Sequence, residues 1–135
     1  MKENTLRRKV QDDMKSRGIC CWHFAALGNG GFPDLLICHN EKTLFIETKG
    51  NHKTFSSMIC AWDDLQRHCC MKLTRAGFKY WLIGSNGKEI LFLEPLKSFE
   101  IHRNKDGTYI SSSYMKRAET YDYILNLILS FLGVK

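Results

Sequence analysis

Apolar residues recur four apart at Leu6, Val10 and Met14, and the pattern stops at Gly18, which predicts a first helix from about Glu3 to Arg17. Glu3 falls on the same stripe as the three apolar residues. The period then shortens. CCWHFAA (Cys20 to Ala26) reads as a strand, and LGNGG after it supplies backbone freedom for a sharp turn before Phe32. DLLIC (Asp34 to Cys38) and TLFIETK (Thr43 to Lys49) are two further strands joined by the polar His39, Asn40, Glu41 and Lys42, which predicts a hairpin. With the turn centred on Asn40 and Glu41, opposed residues have numbers summing to 81, so Asp34 stands across from Glu47. A register shifted by one residue opposes Asp34 to Thr48 instead and keeps Glu47 as an immediate neighbour.

A second helix is predicted over about Ser57 to Ala76, ending at Gly77. Its inward face holds Ile59, Trp62, Leu65, Cys69 and Leu73 together with Gln66, while Arg67 and Arg75 point outward. FKYWLIG and EILFLE form another strand pair around the turn signal Ser85-Asn86-Gly87. Trp62, Trp81 and Phe92 sit at core periodicities. Beyond Pro95, SFEIHR and TYISS suggest short strands around Asn104 to Gly107, and Met115 to Leu132 a final helix. That helix is apolar nearly all round, through Ile124, Leu125, Leu127, Ile128, Leu129, Phe131 and Leu132, which calls for burial on more than one side and leads us to expect a homodimer built on it. The order α-β-β-β-α-β-β, followed by a C-terminal extension ending in a helix, predicts an α/β fold with a mixed central sheet flanked by helices. Residues 1–94 form the expected core, and 95–135 an extension packed on the same single domain.

Composition narrows this picture. A chain of 135 residues with 44% apolar and 25% charged residues fits one ordinary globular domain, which excludes disordered and fibrous classes. The net charge of +6 favours a polyanionic partner such as nucleic acid. The first residues carry charges where a secretory leader needs its apolar core, and YILNLILSFLGV (Tyr123 to Val134) is interrupted by Asn126 and Ser130 and shorter than the roughly 20 residues of a membrane span. These features lead us to expect a protein that is not secreted, has no membrane partner, and is cytoplasmic, or nucleoid or nuclear if viral. Six cysteines, at 20, 21, 38, 60, 69 and 70, lack CxxC spacing, and His23, His39, His52, His68 and His102 share no ligand spacing. The cysteines read as small core residues, with no structural zinc expected.

The candidate chemistry lies in the first hairpin. Side chains at i and i+2 of a strand share a face, so Glu47 and Lys49 point together while Thr48 points away. The hairpin brings Asp34 to the same place. Two adjacent carboxylates repel unless a cation lies between them, a need that Lys49 and a divalent metal both answer. Hard oxygen ligands select Mg²⁺, or Mn²⁺ in its place, and a metal so held offsets phosphate charge and acidifies a bound water, as phosphodiester hydrolysis requires. Arg7, Arg8, His52, Lys53, Lys72 and Arg75 are outward candidates for phosphate contact.

At these residues the chain resembles the PD-(D/E)XK nuclease superfamily, with Pro33-Asp34 as the PD and Glu47-Thr48-Lys49 as the ExK. Within it the sequence is most similar to the VRR-NUC family of virus-type replication and repair nucleases, and more distantly to archaeal Holliday junction resolvases. The likeness covers roughly Glu3 to Gly84 and includes GFPDLL, FIETKG, and Gln66 followed by Leu73 and Gly77. The resemblance implies a restriction-endonuclease-like core. It makes Asp34, Glu47 and the Thr48 backbone carbonyl metal ligands, Lys49 the catalytic lysine, Glu3 the first-helix acid that completes the metal site, and Gln66 the glutamine that supports it. It also implies a Mg²⁺-dependent endodeoxyribonuclease, homodimeric, selective for branched DNA such as four-way junctions, with no small-molecule cofactor. A restriction-type, flap or RNA nuclease shares the same core, because the surroundings of the site set the substrate. A non-cleaving nucleic-acid-binding module is the alternative from another class. The region after Pro95 matches nothing assignable in the family.

Overall fold

A computed structural model of the chain describes residues 2–24 and 31–134, apart from the side chains of Glu3 and Asn4. The elements run α1 (Glu3–Ser16), β1 (Cys20–His23), β2 (Leu35–His39), β3 (Lys42–Asn51), α2 (Phe55–Ala61), α3 (Asp64–Arg75), β4 (Lys79–Ser85), β5 (Ile90–Asn104), β6 (Gly107–Ala118) and α4 (Tyr121–Leu132). The six strands form one mixed sheet in chain order. Every neighbouring pair is antiparallel except β3 and β4, which run parallel because α2 and α3 carry the chain across between them.

Period-two alternation splits the core into two layers. Leu35, Ile37, Leu44, Ile46 and Ile83 face α1 and α4, where Leu6, Val10 and Met14 are wholly buried. Phe45, Tyr80, Leu82, Leu91 and Leu93 face α2 and α3. α1 stops where Gly18 takes φ +68°, so that Gly18 N–H and Ile19 N–H return to the carbonyls of Lys15 and Met14. The strand expected over 20–26 is an element only to His23, and residues 25 and 26 lie outside the described ones. The first hairpin has the summed-81 register, from Leu35 opposite Ile46 to His39 opposite Lys42, around a turn with Asn40 and Glu41 both at positive φ.

Three expectations about the helices are corrected. The helix expected over 57–76 is two helices, separated at Trp62, whose ψ of 100° is extended, and restarted at Asp63. The restart resets the helical phase. Leu65, expected inside, is 64% exposed; Arg67, expected outside, is only 9% exposed; and Cys70 and Thr74 are buried while Cys69 and Leu73 are only partly covered. Arg67 enters the interior by donating from Nη2 to the Ile59 carbonyl at 2.7 Å, which ties the two helices together. Second, the final helix starts at Tyr121, since Met115 to Ala118 belong to β6 and pair with Leu93 to Ile90. Third, that helix is not apolar all round. Tyr121, Ile124, Ile128 and Leu132 face the sheet, and Asp122, Asn126 and Ser130 make an exposed polar stripe.

The short strands expected after Pro95 are the outer halves of two long ones, and β5 runs straight through position 95. Between Pro95 opposite Ser113 and Glu100 opposite Ser111, four residues of β5 stand against Ser112 alone. Such a bulge bends a hairpin. The outer half folds as an arm over α2: Thr108 N–H donates to Ser56 Oγ at 2.8 Å, and the Phe99 ring stacks on Trp62 at 5.8 Å. Among the described residues no helix is long and apolar enough to cross a membrane.

Candidate functional site

Asp34 immediately precedes β2, one residue beyond the last paired position of the hairpin. Its main chain stays in the sheet through its carbonyl, which accepts from Phe24 N–H at 2.8 Å. Its side chain replaces the missing ladder contact with β3. Oδ2 accepts from the Thr48 backbone N–H at 2.9 Å and from Thr48 Oγ1 at 2.7 Å, so the carboxylate is pinned beside the next strand by two donors of one residue. Among the described residues this carboxylate makes no further bond.

Glu47 and Lys49 alternate with Thr48 and emerge on the α3 side of β3. Glu47 is 1% exposed and Lys49 8%, and Lys49 Nζ lies 3.2 Å from Glu47 Oε2. A buried ion pair needs further hydrogen bonds to offset its desolvation. Gln66 provides them: its Oε1 accepts from Lys49 Nζ at 2.8 Å and its Nε2 donates to Glu47 Oε2 at 2.8 Å. The same Oε1 accepts from Asp63 N–H at 3.1 Å, while Asp63 Oδ1 accepts from Gln66 N–H at 2.9 Å. This reciprocal pair is a capping box that starts α3. One amide therefore opens a helix and closes a triangle with an acid and a base on β3.

Two further residues hold this geometry, and neither was singled out from the sequence for that role. Asp63 restarts the helix, and the spacing Asp63-x-x-Gln66 is the signal that could have shown it. Gly31 has φ +84°, and a Cβ there would collide with the Leu65 carbonyl carbon and lie 2.7 Å from Gln66 N. The backbone leading into Phe32-Pro33-Asp34 thus presses directly on the first turn of α3, which only glycine permits.

The surroundings respond to these charges. Burial first, and the Lys49 charge second, hold His52 below the usual histidine range, and its Nδ1 lies 2.8 Å from Ser57 Oγ. Burial, followed by the charge of Glu47, pushes the Tyr80 phenol well above its ordinary value. That phenol oxygen accepts from Trp62 Nε1 at 3.0 Å.

The structure therefore gathers Asp34, Glu47, Thr48, Lys49 and Gln66 around the C-terminal half of β3. The backbone of Glu3 begins α1, and its side chain lies outside the described residues. Among the described residues no three His, Cys, Asp or Glu side chains form a ready metal cage. Asp34 and Glu47 could offer a metal only carboxylate oxygens, the donor type that suits a hard divalent cation. Compared with family models and with curated proteins, the chain finds no match.

Proposed function

We propose that the chain is a metal-dependent endonuclease hydrolysing phosphodiester bonds in DNA, with a restriction-endonuclease-like core of the PD-(D/E)XK type and closest likeness to VRR-NUC proteins. The observation that carries this reading is the fixed placement of Asp34 on Thr48, beside a buried Glu47–Lys49 pair bridged by Gln66. A surface ion pair would not be buried and braced in this way.

Asp34, Glu47 and the Thr48 carbonyl would hold Mg²⁺, with Mn²⁺ able to substitute. When bound, such an ion offsets phosphate charge and lowers the pKa of a coordinated water. The chain's own residues do the rest. Thr48 keeps the Asp34 carboxylate oriented, Gln66 aims the Lys49 ammonium along the Glu47 carboxylate, and Lys49 orients the attacking water and stabilises charge developing on the phosphate. Branched DNA is the substrate suggested by the family likeness.

Cleavage of labelled four-way, flap, linear and single-stranded DNA, and of RNA, with Mg²⁺ tests the reading. Asp34→Ala is expected to lower the rate at least about 100-fold, the scale of several kcal/mol of lost charge stabilisation. Equal inertness of wild type and variant on every substrate would leave a nucleic-acid-binding module in its place.

A further inference from the structure

Trp22 stands out from the other two tryptophans. Trp62 is fully buried and Trp81 5% exposed, whereas Trp22, in the edge strand β1, is 62% exposed. A large indole left in water at a sheet edge needs an explanation in a way that a scattered leucine does not. Its polar atom is already engaged, since Nε1 donates to Cys20 Sγ at 3.1 Å. Among the described residues no other ring stacks on it, so what Trp22 offers is an open aromatic face.

Register says where that face lies. Trp22 is opposite Leu36, and paired residues of antiparallel strands project to one side of the sheet. Leu36 packs into the α2 and α3 layer, and Cys21, the neighbour of Trp22, packs into the other layer. Trp22 is thus on the same side as Glu47 and Lys49. Continuing the pairing, Phe24 stands opposite Asp34, as the bond from Phe24 N–H to the Asp34 carbonyl shows. Trp22 is therefore the diagonal neighbour of Asp34, with backbones about 7–8 Å apart across adjacent strands, while the Asp34 carboxylate reaches one strand further, to Thr48 of β3. That span is one that a nucleotide or two can bridge.

We infer that Trp22 is a stacking platform for an unpaired nucleobase, on the strand whose phosphate reaches Asp34 and Lys49. The inference rests on the phosphodiesterase reading above and sharpens its substrate: a base that stacks on a side chain has left its own helix, so the strand is single, or splayed from a duplex beside the scissile bond. Every base has a π face, so the contact selects unpaired structure with little regard to sequence. The chain's net charge of +6 suits a polyanion better than a second, equally basic copy of itself.

Intrinsic fluorescence of the wild-type protein without divalent metal tests this, because a quencher that cannot enter the core reports mainly on Trp22. A 12-nucleotide oligothymidylate is expected to quench a substantial part of the emission, and a blunt duplex of equal length much less. Trp22→Ala should weaken oligothymidylate binding about 10- to 100-fold, and Trp22→Phe should restore much of the loss. Equal quenching by the duplex, or unchanged single-strand affinity in Trp22→Ala, would overturn the inference. So would a Trp22→Ala protein that loses self-association in sedimentation while binding the oligonucleotide normally, since Trp22 would then be a contact between copies. The metal-free titration is independent of turnover, so a wild-type protein inert on every substrate with Mg²⁺ would defeat the phosphodiesterase reading while leaving the stacking result standing.

Discussion

Gln66 carries more of the candidate site than its neutral side chain suggests. A glutamine is both donor and acceptor, so it can satisfy Lys49 and Glu47 at once, which neither a carboxylate nor an ammonium could do. The electrostatics of this group reach His52. Because its pKa is lowered, the folded chain prefers the neutral ring; His52 therefore contributes stability above the ordinary histidine pKa of about 6.5, and that contribution is lost as pH falls through its folded value. Lys49→Met removes one of the two causes, so the His52 midpoint followed by NMR should move upward while staying below 6.5, with burial still acting. A midpoint that does not move would show that Lys49 is too well screened to matter. Asp34, Glu47 and Lys49 were legible in the sequence because strand alternation and a two-residue turn leave few registers, and the summed-81 pairing was recoverable by arithmetic. Trp22 was not. A four-residue edge strand gives no periodicity from which to tell a covered face from an open one.

At the level of elements, the decisive feature is the break between α2 and α3. Apolar residues continue at helical intervals across it, so periodicity alone reads one long helix, and the inward and outward assignments of Leu65 and Arg67 were accordingly reversed. Capping chemistry outweighs periodicity here, because Asp63 satisfies Gln66 N–H and Gln66 satisfies Asp63 N–H. Asp63→Ala should cost about 1 kcal/mol, within the usual range for losing a cap, measured by urea denaturation. It should also loosen the amide that braces Lys49. Full stability in that variant would mean that the packing of Gly31 against Leu65 and Gln66 is enough to set the start of α3. A similar competition misplaced the start of the last helix: Met115 to Ala118 read as a helical lead-in, but pairing with β5 along their whole length draws them into the sheet.

For the molecule as a whole, one sheet between two helical layers was readable from the order of elements, and the arm was not. Its bend depends on a bulge at Leu96–Phe99 and on Ser98 and Ser112 at positive φ, positions where serine gives little warning. The arm seals the α2 layer through Phe99, 3% exposed and stacked on Trp62. Phe99→Ala should cost about 3–5 kcal/mol in equilibrium unfolding and shift the emission of Trp62 to the red as water gains access. A loss under about 1 kcal/mol would mean that the arm is only laid against α2. The bonds from Thr108 to Ser56 and Cys60 join positions some fifty residues apart. A ribosome releases Asp34, Glu47 and Lys49 long before it releases Thr108, so a nascent chain holds these three side chains while the roof over α2 is still unmade. The latch that secures that layer arrives only once Thr108 itself has emerged.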